Sequence, residues 1–305
     1  MLRAKQCRAA AALLATALST TFPAMSLVAR RRAATRVILL DRSLEVLPLF
    51  RLSDSAEDAA VSFTTETGGR WRVLPSPGER LPGTFDQDVY VELMRRFHEA
   101  GEPSDGVLRF TLHAFLRSMG RRVDGRTYEQ LRAALNRLER TTLESFGSYV
   151  NANSPFEGRF TVLTSVSIER RRVADREQLA LFSSVAASEP GDARVTLSPL
   201  VRANLASKHF AAISPQKYFE LASPVAKRLY RLLEVARSEG IVTWRVALDR
   251  LKDQLPLVQR YPSHLQRVLQ PAHDMLVTAE LVRSVKILQQ QREWYVDYVL
   301  APKPV

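Results

Sequence analysis

Apolar residues recur every third or fourth position in several stretches of this chain, the spacing that turns one face of an α-helix toward a core. They alternate in other stretches, as a half-buried strand requires. In TFDQDVYVELMRRFHEA, Phe85, Val89, Leu93 and Phe97 recur every four residues behind a capping Thr84, which predicts a helix with one buried stripe. VLRFTLHAFLRSMG reads as a strand running into a short helix closed by Gly120. DGRTYEQLRAALNRLER then puts Tyr128, Leu131, Leu135 and Leu138 on one helical face, with Thr127 and Gln130 in the pattern of a capping box. TLESFGSYV and GRFTVLTSVSIER follow as the two strands of a hairpin, the second alternating through Phe160, Val162, Thr164, Val166 and Ile168.

A polar break, SEPGDA at 188–193, and a linking segment containing RVTLS precede a second run of the same order. KYFELASPVAKRLYRLLEVARSEG predicts one long helix that buries Val225, Ala226, Leu229, Tyr230 and Leu233 and ends at Gly240. IVTWRV is a short strand, ALDRLKDQL a helix, and YPSHLQRVLQPAHDMLVTAEL a third helix with Pro262 in its first turn. Pro271 removes a backbone donor inside that segment and is expected to kink or divide it. LVRSVKIL and EWYVDYVL close the chain as a hairpin, with Trp294, Val296, Tyr298 and Leu300 alternating.

Three helices followed by a two-stranded wing is the winged form of the helix-turn-helix. The expected fold is therefore α+β, mainly helical, with tandem winged-helix domains at 85–205 and 206–305. The copies share an architecture without strong sequence identity. Residues 30–84 mix Gly, Pro, Ser and Thr with strand-like pieces such as GRWRVLPS and read as an arm leading into the first domain.

Composition narrows the function. At 305 residues, with 46% hydrophobic and 25% charged, the chain has the size and make-up of about two ordinary globular domains. A net charge of +12 favours polyanionic partners. Seven of the 44 basic residues (Arg3, Lys5, Arg8, Arg30, Arg31, Arg32 and Arg36) precede Asp41, however, which leaves 37 basic against 32 acidic residues in the body. The body is thus only mildly basic, and local placement must decide.

The single cysteine, Cys7, excludes an internal disulfide framework and suits a reducing compartment. His98, His113, His209, His264 and His273 show no metal-ligand spacing, so no metal centre is expected. Residues 1–29 have the basic start and apolar run of an export signal. Thr-Thr and Pro interrupt that run and three arginines follow it, so we read it as an extension upstream of Met25 and the protein as cytoplasmic. No glycine is followed by lysine, as a phosphate-binding loop would need, and neither a His-x-His nor a G-x-S-x-G motif occurs. No catalytic residue, cofactor or small-molecule substrate is expected; binding is left.

A helix that reads a DNA groove must offer its non-core side. On 127–140 and the residue before it, that side carries Arg126, Thr127, Gln130, Arg132, Ala133, Asn136 and Arg137, beside Glu129 and Arg140. Arginine, asparagine and glutamine hydrogen-bond base edges bidentately, and a small alanine permits close approach. On the second candidate, Leu265, Leu269, Ala272 and Leu276 face inward while Ser263, His264, Gln266, Arg267 and Gln270 face outward. The wing strands add Arg283, Lys286 and Arg292, with QQQR at the tip, where phosphate contacts would lie.

Each face has a second reading as a solvated surface, since arginine and glutamine are good surface helix formers. Recurrence in equivalent places of two units favours DNA contact. The run Glu169 to Arg172 reads as a solvated turn, and His264 and His273 as surface or packing residues.

LASPVAKRLYRLLEVARSEG and LQRVLQPAHDMLVTAELV resemble the C-terminal winged helix of theta-type plasmid replication initiators. WRVLPSPGERLPGTFDQDVYVELMRRF and GRTYEQLRAALNRLERTTLES resemble the family called replication initiator protein A, with AKRLYRLL the most distinctive motif and a match over about residues 70 to 300. The resemblance implies a protein that binds repeated double-stranded DNA sites at a plasmid origin, helps open the duplex and recruits host replication proteins. It also implies two winged helices per chain, homodimers formed through the first, and recognition helices at 127–140 and 263–270. The apolar leader and the modest body charge depart from that pattern. A winged-helix transcriptional repressor and a protein-interaction scaffold without DNA binding are the alternatives.

Overall fold

Strand β1 (Ile38–Asp41) and the single turn α1 (Arg42–Glu45) meet at Asp41, whose carboxylate accepts the N–H of Ser43 at 3.0 Å and of Leu44 at 3.4 Å. The computed structural model describes residues 37–52, 60–169 and 192–302, all within one compact unit, Thr35–Val305. The leader at 1–29 with Cys7, the arginines at 170–172 and the start of the SEPGDA break lie outside the described residues. Ile38, Leu40, Leu44 and Leu47 are buried, so this part of the stretch read as an arm belongs to the core. Strands β2 (Val61–Thr64) and β3 (Arg70–Leu74) pair antiparallel; buried Trp71 donates its indole N–H to the Pro48 carbonyl at 2.8 Å.

Helix α2 (Thr84–Glu99) starts one residue beyond Gly83, whose N–H donates to the Asp86 carboxylate at 2.6 Å, so Thr84 is the first helical residue rather than the cap. Val89, Leu93 and Phe97 are buried as expected, and Phe85 is half-buried. Asp86, Gln87, Asp88 and Glu92 are buried too, because α2 is covered on more than one side. After β4 (Val107–Thr111) and α3 (Leu112–Ser118) comes α4 (Gly125–Arg140). Its capping box is Asp124 with Thr127, three residues before the expected pair: Asp124 accepts the Thr127 N–H at 2.9 Å and Thr127 Oγ1 accepts the Asp124 N–H at 3.1 Å. Tyr128, Leu131, Leu135 and Leu138 form the buried face.

Strands β5 (Thr142–Asn151), β6 (Ser154–Phe160), β7 (Leu163–Ile168) and β8 (Asp192–Leu197) divide between two sheets, ordered β2-β3-β5-β6 and β4-β8-β7. The single alternating strand expected from Phe160 to Ile168 is broken where neighbouring Val162 and Leu163 are both buried and the chain passes from one sheet to the other. RVTLS, read as a linker, contributes to the central strand of the second sheet.

Helix α5 (Pro199–Ala206) leads to β9 (Phe210–Ile213), which pairs antiparallel with β1. The long helix expected next is two helices, α6 (Pro215–Glu220) and α7 (Pro224–Ser238). Pro224 disfavours the helical conformation at Ser223, whose side chain instead accepts the Ala226 N–H at 3.3 Å. Strand β10 (Thr243–Ala247), helices α8 (Leu248–Gln254) and α9 (Pro262–Thr278) and strands β11 (Val282–Gln290) and β12 (Glu293–Leu300) complete the chain. Helix α9 continues through Pro271, contrary to the expected break. Pro271 is exposed, so the carbonyl left without its donor is within reach of solvent.

The sheet β10-β12-β11 has the same order, first–third–second, as β4-β8-β7. In the second half α7, β10, α8, α9, β11 and β12 follow one another directly, whereas in the first α2, β4, α3 and α4 are followed by β5 and β6 of the other sheet before β7 and β8. One hydrophobic cluster runs through both halves. Described residues are 41% helix and 31% strand, a mixed fold rather than a mainly helical one. Among them no helix is long and apolar enough to cross a membrane.

Candidate nucleic-acid interface

Helix α4 packs its apolar face on α2, and much of its polar side is already engaged. Arg137 forms a bidentate pair with Asp86, Nη2 to Oδ1 at 2.8 Å and Nε to both oxygens at 3.2 Å. Burial pushes the Asp86 carboxyl above the ordinary range, and the Arg137 guanidinium pulls against that shift. Arg132 pairs with Glu129, Arg140 with Glu79 at 2.8 Å, and Thr127 is held in the cap. Arg126 and Gln130 are exposed; Ala133 and Asn136 are half-buried.

Helix α9 differs. Ser263, His264, Arg267 and Gln270 are exposed and Gln266 is half-buried. Gln270 donates to Asp274 at 2.8 Å, whereas Arg267 and Arg292 have no ion pair among the described residues. No side chain caps the first turn of α9: Pro262 has no N–H, and the amides of His264 and Leu265 both donate to the Tyr261 carbonyl at 3.0 Å. His273 faces inward: its Nε2 is 2.8 Å from the Tyr298 hydroxyl, and burial pulls its pKa down to about 4, so the ring is neutral packing, as expected.

The wing turn connects Gln290 and Glu293 through Gln291 and Arg292, with Gln291 in the left-handed region at φ 56°. A cleft of about 170 Å³ brings Arg292, Glu293 and Trp294 of this wing against Leu248 and Asp249 of α8 and Pro262 of α9, so the Arg292 cation shares it with two carboxylates. The structure therefore gathers the wing tip and the start of α9 at one place. Lys286 is exposed opposite Asp297, whose carboxyl Arg245 holds below the usual range, with Lys286 adding to the effect. Sequence reasoning missed Arg260 and Tyr261. Both are exposed just before α9, Tyr261 at 67% with its ring edge-on to His264. An aromatic beside the turn ahead of a polar helix was the available cue.

The two halves meet over a buried ionic cluster. Glu45 accepts Arg228 Nη1 at 3.0 Å and Arg231 Nη1 at 2.8 Å, while Arg231 Nη2 donates to Gln87 at 2.7 Å. Asp88 accepts Lys227 Nζ at 2.8 Å, Arg121 Nη2 at 2.7 Å and the Tyr218 hydroxyl at 3.1 Å. Burial, then repulsion by Arg231, pulls the Arg228 pKa down to about 10, still protonated at neutral pH. The three cations of AKRLYRLL thus point into the molecule and are unavailable to a nucleic acid.

The model of the family described as Replication initiator protein A matches residues 41–274. The chain belongs to that family. Curated proteins give no sequence match to this chain. Among solved structures, it is similar to a crystal structure of domains 2 and 3 of RctB, with TM-score 0.52 and 14% identity over 83% of this chain and 95% of that one. A second structure of RctB domains 2–3 gives TM-score 0.51 and 12% identity over 85% and 97%. The Pi initiator protein in complex with iteron DNA gives TM-score 0.47 and 10% identity over 89% and 100%. The RctB likenesses are likenesses of fold.

Proposed function

We propose that this replication initiator binds repeated double-stranded DNA sites at an origin through two winged helices, residues 85–205 and 206–305, and does so without catalysis. The observation that carries the reading is the recurrence of one sheet order, β4-β8-β7 and β10-β12-β11, with the helices α4 and α9 each lying between the first strand of its sheet and the other two in the chain and each presenting a polar outer side. An α-helix fits the major groove, and the helix before it sets its angle on the backbone.

Arg267, Gln266, His264, Ser263 and Gln270 face the bases from α9, and Arg292 and Lys286 reach phosphates from the wing. Arg126, Gln130 and Asn136 are the corresponding contacts of α4, while Arg137, Arg132 and Thr127 hold that helix in shape. Two linked modules offset the modest body charge, because the second binds at a raised effective concentration. Origin opening, recruitment of host replication proteins and a homodimer are the roles the family resemblance brings with it.

Footprinting of the purified protein on the DNA flanking its gene, across a salt series, tests the reading. We expect ordered repeats to be protected, with affinity falling as salt rises. One protected palindrome would instead indicate a repressor, and absence of salt-sensitive binding a protein-interaction scaffold.

A further inference from the structure

Residues 38–52 bond to both halves of the molecule. Asp41 accepts the Tyr149 hydroxyl and Asn204 Nδ2, the latter at 2.9 Å, and Ser43 Oγ donates to the Val150 carbonyl at 2.8 Å, which ties the segment to β5 and α5. The Arg51 N–H donates to the Pro82 carbonyl at 2.8 Å, just ahead of α2, and strand β1 pairs with β9, which already belongs to residues 206–305. Toward that same half, Glu45 takes Arg228 and Arg231 of α7, and the Leu47 carbonyl accepts Arg228 Nη2 at 2.8 Å. Both carboxylates are buried, Asp41 at 0% and Glu45 at 1% exposed.

We propose that residues 38–52 are a positioning strap, with Glu45 its central residue, that fixes α4 relative to α9 and so dictates the spacing of the two DNA segments read together. This rests on the DNA-binding reading above. Apolar surfaces slide over one another with little penalty, whereas a buried ion pair is satisfied in one register only. Arg228 and Arg231 share the Glu45 carboxylate; without it two buried guanidinium groups face each other. Glu45 is buried and its carboxylate is taken by Arg228 and Arg231, so it is a positioning residue rather than a contact.

The consequence is a demand on the DNA. Two linked modules gain about 100-fold or more in affinity only when both can seat at once. An insertion of about 5 base pairs turns the second segment to the opposite side of the duplex. A fixed angle cannot follow that turn, but a loosened one can.

Two variants of the full chain test this: Glu45→Gln, and the triple Glu45→Leu, Arg228→Met, Arg231→Met, which replaces the charged cluster with apolar volume and keeps the protein folded if the first does not. Spin labels at Gln130→Cys and Gln270→Cys, in a Cys7→Ser background, report the distance between the two helices without DNA. We expect one narrow distance in the parent and a broadened or shifted one in the triple variant.

On DNA, we expect the parent to lose about 100-fold on the insertion, and the variant under about 10-fold, with single-segment binding unchanged. An unchanged narrow distance, or an equal loss on every duplex, overturns the strap. Altered distances together with no parent binding to any duplex overturn the DNA reading, and the spacing role with it.

Discussion

Helices α4 and α9 each lie in the chain between the first strand and the other two strands of sheets that share one order, β4-β8-β7 and β10-β12-β11, yet their outer faces are engaged differently. On α4, Arg137 is tied to Asp86, Arg132 to Glu129, and the first-turn amide of Thr127 to Asp124. On α9 the first turn has no side-chain cap, and Arg267 has no ion pair among the described residues. Both faces look alike in sequence because an arginine reads the same whether or not an acid waits across the fold. The difference teaches that a recognition surface is defined by what its residues are not already bonded to.

The largest effect that could break this contrast is at α4. Arg137→Ala leaves the Asp86 carboxylate buried and unpaired, which should lower unfolding stability by on the order of 3 kcal/mol in urea titration. DNA affinity measured under conditions where the variant is folded should change little. A stable variant with selectively weakened DNA binding would reverse the assignment.

Arg267→Ala tests the other side: binding to the cognate site should weaken by about 1–3 kcal/mol, with little loss on random DNA and an unfolding midpoint like that of the parent. Equal losses on both DNAs would make Arg267 a phosphate contact. The smallest effect belongs to the wing: Arg292→Ala should lower the slope of log affinity against log salt by about 1, uniformly across sequences.

Much of the fold was legible along the chain because periodicity survives wherever an element has one buried face. The inward residues of α4 and α9, and the alternation of β12, are buried or half-buried as the pattern predicts. Legibility failed where an element is covered on several sides. Helices α2 and α7 bury Asp88, Glu92, Lys227, Arg228 and Arg231 along with their apolar stripes. Hydropathy assigns such residues to solvent, because burying a charge is costly unless a partner from elsewhere neutralises it, and the partner is a tertiary fact.

The candidate site divides in the same way. Which residue types could meet DNA, and on which helices, followed from the outer faces of two periodic segments. Which arginines remain available followed only from distances: Asp86 lies 51 positions before Arg137, and Glu45 lies 183 before Arg228.

The sequence by itself determined the inward face of each candidate reading helix and the alternation of β12, since these depend on contacts a few residues apart. The tertiary structure alone decided the pairing of strands into sheets, the uninterrupted course of α9 through Pro271, and the inward turn of the AKRLYRLL cations. Those outcomes depend on groups that are distant in the chain, whose proximity sets both the free energy of burying a charge and the loss of a backbone donor that solvent can offset.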